Sequence, residues 1–297
     1  MAPSWGHRHR CPRISRTALH RSVLTSTFGI EGRSTTIQAA GRGCSMTSLA
    51  EWNTSPAPSG GPASVLDRVV AILDAVKEGD GSTTITDLAA KSGLPKSTVS
   101  RLVAELTAQR YLERTDDGVA LGLRLFELGA RASLPRRLLG AAAPVIRQLR
   151  EVTGERVGLW VQQGADMVSI AAVPGRLPML PTRAGMHSPA LTTASGKAFL
   201  AFCADQRVVD RISAPLVDEA ADRFRDELTH VRASVVAMDL EVSYPGILAV
   251  ASPVITSGRV VLGAISIAGP SGAMDPDRVA PLVRAAGTSV SRRLAAA

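Results

Sequence analysis

The chain has 297 residues, 45% of them apolar and only 3% aromatic, which is enough to bury the cores of two domains. No apolar run of about 18 residues occurs, so no membrane helix is expected. Cys11, Cys44 and Cys203 form no metal-ligand spacing, no cofactor motif is present, and a reducing, cytoplasmic setting fits.

The net charge of +8 tempts a reading of nucleic-acid binding, but it sits at one end. Residues 1–45 hold seven arginines and one acidic side chain, whereas residues 46–297 hold 27 basic and 25 acidic groups. Residues 1–63 are expected to be a disordered leader. An Arg-rich, acid-poor start fits a transit peptide. A disordered tail, or a start codon assigned too early, is the simpler account, because Met46 opens a polar lead-in rich in Pro, Gly and Ser.

Folded structure is expected from Ser64, a helix cap with Asp67 in the first turn. Leu66, Val69, Val70, Leu73 and Val76 then recur at helical spacing. The segment Ile85 to Leu106, ITDLAAKSGLPKSTVSRLVAEL, reads as two short helices joined by a tight turn. Thr84 or Thr86 caps the first, with Leu88 and Ala89 on its inner face. Gly93 supplies the positive φ that the turn demands. Pro95 suits the first turn of the second helix, expected from Pro95 to Arg110, whose inner face is Val99, Leu102 and Val103. Tyr111 to Arg114 and Val119 to Leu121 form a hairpin about Asp116-Asp117-Gly118. Residues 64–122 are therefore a winged helix-turn-helix.

This leaves Lys96, Ser97, Thr98, Ser100 and Arg101 pointing outward at the start of the second helix, where such motifs meet base edges and phosphates of double-stranded DNA. A solvated helix face would carry the same residue types; the turn before it and the hairpin after it favour DNA. Arg114 reaches a phosphate or pairs with Asp116 or Asp117. From Val65 to Arg131 there are nine basic and ten acidic side chains, so recognition must rest on where charges sit.

Leu123 to Ala132, with Leu125, Phe126 and Leu128, reads as a helix, and residues 123–134 as the linker between domains. Residues 135–297 read as an α+β domain with a central antiparallel sheet. Its elements are a helix to about Val152, strands Arg156 to Gln162 and Met167 to Val173, and a proline-rich loop from Gly175 to Pro189. Helices Ala194 to Ala204, Gln206 to Ser213 and Asp222 to Met238 follow, the last with Leu228, Val231 and Val235 on one face. Strands Ile247 to Ile255 and Val260 to Ala268 and a helix from Asp275 to Leu294 complete the domain.

Three pieces in this order, LTTASGKAFLA (Leu191 to Ala201), GILAVASPV (Gly246 to Val254) and GAISIAGP (Gly263 to Pro270), follow the winged helix. With it they make the chain resemble the IclR family of bacterial transcription regulators from Ser64 to the C-terminus. The resemblance implies a DNA-binding domain and a GAF-like effector domain. It also implies a homodimer or tetramer on operator DNA in the cytoplasm, associated with the nucleoid, under control of a small molecule, often an organic acid. It implies that Leu177, Met179, Ala194, Ser195, Asp239, Ala249, Ser266 and Ala268 line the effector pocket. Ser195, with the backbone N–H groups around Gly196, is placed to hold a carboxylate, and Asp239 a hydroxyl or a water. Ala249 and Ala268 stand where relatives offer a thiol or hydroxyl, at a cost of about 1 kcal/mol per lost donor. That points to an aromatic or branched acid.

The plainer alternatives make Ser195 a helix cap, Trp160, Met179 and Met186 core residues, and His187 and His230 solvent-exposed. A second reading keeps the helix-turn-helix as an oligomerisation module of a small-molecule-binding enzyme. Against it, Leu191 and Ala198 replace the residues that a phosphate-binding loop around Gly196-Lys197 needs, and no Gly-x-Ser-x-Gly elbow occurs. A non-enzymatic regulator is the expectation.

Overall fold

A computed structural model describes residues 64–79, 81–176 and 183–296, so the expected leader lies outside the described residues. Helix α1 (Val65–Lys77) opens on a capping box. Ser64 Oγ accepts the Asp67 N–H at 3.1 Å, and the Asp67 carboxylate accepts the Ser64 N–H at 2.8 Å. Two N–H groups left over by the helix start are thereby satisfied. The buried face is Ile72, Ala75 and Val76. Leu66 is 70% exposed and Val70 also faces solvent, so the expected apolar stripe is covered only in its later turns.

Helix α2 (Ile85–Ser92) is capped by Thr84 and ends at Gly93, whose φ of 67° turns the chain. Helix α3 (Lys96–Ala108) follows, starting one residue later than expected, with Pro95 as its cap residue rather than in its first turn. Strands β1 (Leu112–Thr115) and β2 (Gly118–Leu121) pair antiparallel, with Thr115 opposite Gly118. The turn residues are thus Asp116 and Asp117, and Gly118 belongs to the strand. Thr83 adds a one-residue third strand, exchanging two backbone hydrogen bonds with Val119. Leu88, Val99, Leu102, Val103, Leu112 and Val119 close this small core. Helix α4 (Leu123–Gly129) then exposes Leu123, Leu128 and Phe126, the last by 72%.

The second part begins with α5 (Ser133–Thr153), then β3 (Arg156–Gln163), β4 (Asp166–Val173) and β5 (His187–Pro189). Helices α6 (Ala194–Leu200), α7 (Gln206–Ser213) and α8 (Asp218–Ser234) lead to β6 (Ala237–Leu240). Strands β7 (Ile247–Ile255) and β8 (Val261–Pro270) and helix α9 (Pro276–Ala295) complete it. The strands form one antiparallel sheet in the order β5-β4-β3-β8-β7-β6.

Helix α8 stops four residues before its expected end. Val235 takes a left-handed conformation (φ 60°), uncommon for a β-branched residue, and Ser234 Oγ accepts the Val236 N–H at 3.3 Å. The chain then runs as β6 along the edge of β7. The apolar run Val235 to Met238 suits helix and strand equally, so only pairing with β7 decides it.

Both sheet faces are covered, but by different residues. Val157, Leu159, Val250, Ile265 and Ile267 pack under α5 and α9. The opposite face carries Trp160, Ala251 and Ala264, packed with residues of α6 and α8 such as Ala198, Leu200 and Leu228. Large aliphatic side chains dominate one side. The alanine-rich side leaves room.

Candidate functional site

Two places collect the predicted site residues. On α3, Lys96, Ser97, Ser100 and Arg101 are exposed and Thr98 is half-buried. Lys96 Nζ donates to Thr86 Oγ1 at 3.1 Å, and Arg101 pairs with Glu105 at 2.9 Å. Both partners of that ion pair are more than half exposed, so it holds Arg101 only weakly. The first turn of α3 has no acidic side chain. Its free N–H groups and Lys96 therefore present a positive end to a phosphate. Arg114 is exposed on β1 and has no ion pair with Asp116 or Asp117.

The second place is a cavity on the alanine-rich face of the sheet, with about 560 Å³ of space between its walls, mouth included. Ala194 and Ser195 of α6, Asp239 of β6, Ala249 of β7, and Ser266 and Ala268 of β8 all line it. Leu177 and Met179 lie outside the described residues. The structure adds Arg156 and Trp160 from β3, Ser188 from β5, and Met186, Thr193, Tyr244 and Ile247 from the loops. Trp160 is packed in the core as expected and also forms wall, while Met186, expected in the core, is half-buried and forms wall. A signal for Arg156 was present: in RVGLWVQQ, Val157 and Leu159 alternate with Arg156, Gly158 and Trp160, so the arginine shares the tryptophan's face.

Hydrogen bonds fix much of this wall. Trp160 Nε1 donates to Ser266 Oγ at 2.9 Å. Asp239 Oδ1 accepts the N–H groups of Val242 (2.9 Å) and Ser243 (3.2 Å), anchoring the loop that carries Tyr244. The cap of α6 is Thr193, not Ser195: Thr193 Oγ1 accepts the Gly196 N–H at 3.3 Å and donates to the Pro189 carbonyl at 2.8 Å. The Gly196 N–H expected to cradle a carboxylate is therefore engaged, and Ser195 Oγ donates to Thr193 Oγ1 at 3.4 Å. Arg156 is only 7% exposed, and its guanidinium lies 5.5 Å from the centre of the Trp160 ring. Burial pushes its pKa below the ordinary arginine value, and Tyr244 offsets part of that shift.

Lys197, next to the cavity residues in sequence, is buried and donates to Glu227 of α8 at 2.6 Å. Its charge serves α6–α8 packing. His187 faces Asp166 at 3.3 Å, and His230 is exposed.

The family model for the C-terminal region of the bacterial transcriptional regulator IclR matches residues 135–292, more than half of the chain. The chain belongs to the IclR family. The IclR helix-turn-helix domain model matches residues 65–116. Among relatives, the acetate operon repressor of Salmonella typhimurium is 29% identical over 251 residues, covering 76% of this chain and 87% of its own. The transcriptional repressor IclR of Escherichia coli is 28% identical over 248 residues, covering 75% and 86%. An IclR homologue from Microbacterium hydrocarbonoxydans, solved with 4-hydroxybenzoate, shares the fold with a TM-score of 0.71 at 24% identity, covering 79% of this chain and all of that one. The IclR of Thermotoga maritima does so with a TM-score of 0.62 at 22% identity, covering 77% and 98%. The family is one of DNA-binding, ligand-responsive transcriptional regulators, and this chain is such a regulator. Among the described residues no helix is long and apolar enough to cross a membrane.

Proposed function

We propose that this IclR-family regulator is a repressor that releases its operator when a small aromatic or branched organic acid fills the sheet cavity. The observation that carries this is Arg156. A guanidinium on the cavity wall offers a positive charge and N–H donors to an anionic ligand. The alanine floor leaves width for a ring or branch. The repressor names of the relatives and the 4-hydroxybenzoate in one solved homologue support the same reading.

On DNA, α3 enters the major groove with Arg101 at a base edge and Lys96 at a phosphate, while Arg114 reaches the backbone from the hairpin. Two copies read a near-palindromic site. The exposed Leu123, Phe126 and Leu128 on α4 support self-association, as dimer or tetramer. Effector binding shifts the balance between DNA-competent and incompetent arrangements by the difference in its affinity for the two.

The test is a gel-shift titration on DNA flanking the gene, repeated with a panel of organic acids. An acid that releases wild-type protein but releases Ser195→Ala poorly, with DNA affinity itself unchanged, is the expected result. Release by no acid at millimolar concentration would refute the effector assignment.

A further inference from the structure

The sequence offers Thr84 and Thr86 as caps for α2, and the helix uses Thr84. Thr84 Oγ1 accepts the Asp87 N–H at 3.2 Å and donates to the Asp87 carboxylate at 2.8 Å, so this hydroxyl is engaged at the helix start. Thr86, two residues on, is exposed. Its hydroxyl accepts a hydrogen bond from the Lys96 ammonium at 3.1 Å, across the helix-turn-helix. The contact ties the first turn of α2 to the first residue of α3, while Leu88, Val99 and Leu102 pack the same two helices together in the core.

The pair still has donors to give. A threonine hydroxyl that accepts one hydrogen bond keeps its own hydrogen, and an ammonium that donates one keeps two. Among the described residues Thr86 Oγ1 makes no other hydrogen bond. Asp87, next in sequence, is taken up by the Thr84 hydroxyl. Lysine carries its charge on a flexible four-carbon stem, and fixing that stem on a partner costs conformational freedom. Thr86 offsets part of that cost in the free protein, because the ammonium is already held beside a second donor.

We infer that Thr86 is a DNA-contact residue: it positions Lys96, and its O–H and the ammonium donate together to one backbone phosphate. This rests on the placing of Lys96 at a phosphate, proposed above, and adds the second donor and the device that holds the first. A phosphate contact carries no sequence information, so the pair raises affinity for any duplex alike.

Fluorescence anisotropy on the full chain tests it, with a labelled duplex from the DNA flanking the gene and an unrelated duplex of equal length, over a range of salt. Thr86→Val keeps the shape of the side chain and removes the hydroxyl. It is expected to weaken binding to both duplexes about tenfold at an unchanged thermal midpoint, with Thr86→Ser within about twofold of wild type. Thr86→Ala, a better helix former, is expected to show the same loss and decides the matter if valine disturbs α2. Lys96→Met is expected to weaken both complexes and to flatten the log–log salt dependence by about 0.9 per bound copy. In the Lys96→Met background, Thr86→Val should cost no more than about threefold, because the group it positions is gone. Equal losses in the two backgrounds, or a loss on the flanking duplex alone, would overturn the inference. So would wild-type affinity for Thr86→Val beside a weakened Lys96→Met, which leaves Lys96 on its phosphate. Wild-type affinity and salt dependence for Lys96→Met would overturn both.

Discussion

The winged helix and the effector domain place their proposed working residues on opposite sides of their cores. Around α3, the core is Val99, Leu102 and Val103, and Lys96, Ser97, Ser100 and Arg101 stand outside it. In the effector domain, Arg156, Ser195, Asp239 and Ser266 are all buried and share the sheet with the core. A surface reader can change its side chains with little effect on folding. A buried pocket cannot, because each polar group there must be satisfied by the fold or by the ligand.

Asp239→Ala should break this contrast most visibly if it is wrong. Two loop N–H groups lose their acceptor, and about 3 kcal/mol of stability should go with them, read as a lower urea midpoint. An unchanged midpoint would mean that the pocket is as independent of folding as the recognition helix. Arg101→Ala is the converse. Operator affinity should fall about tenfold to a hundredfold, matching the ~1–3 kcal/mol of a base-edge contact. Its unfolding midpoint should barely move, since the Glu105 pair is worth less than ~0.5 kcal/mol. Wild-type affinity on a gel shift would remove Arg101 from the recognition surface.

Glu227→Gln leaves the buried Lys197 without its anion. A loss of about 1 kcal/mol is expected, reduced because Glu227 is itself 42% exposed. The smallest effect concerns pH. The Ser64 hydroxyl, and then its N–H, hold the Asp67 carboxyl below the usual carboxylate range. A depressed pKa stabilises the folded state above the unfolded value and is lost as pH falls through the folded one. Thermal melts stepped downward from neutral pH should show α1 loosening in acid, and Asp67→Asn should flatten that trend. Glu241, held low by Ser271 and the Gly246 N–H, should act alike on the loop bearing Tyr244.

Features with local causes were legible along the chain. Ser64, Thr84 and Gly93 act on backbone groups within a few residues, so the helix starts and the turn of the recognition motif could be placed from neighbours alone. Six of the eight expected cavity positions meet around one cavity: Ala249, Ser266 and Ala268 alternate regularly on β7 and β8, Ala194 and Ser195 open α6, and Asp239 comes from β6. Strand β6 was not legible, since Val235 to Met238 is apolar in either conformation. Trp160 was rightly read as core, but burial alone did not say that it would also border a cavity.

By itself, then, the sequence determined the two-domain plan, the outward face of α3 and three of the strands that carry the pocket, β3, β7 and β8, because each follows from periodicity or from contacts a few residues apart. Only the tertiary structure decided that Arg156 and Asp239, 83 positions apart in the chain, end one row of the sheet. Register across four strands is a property of their pairing, and no local pattern in any one strand contains it.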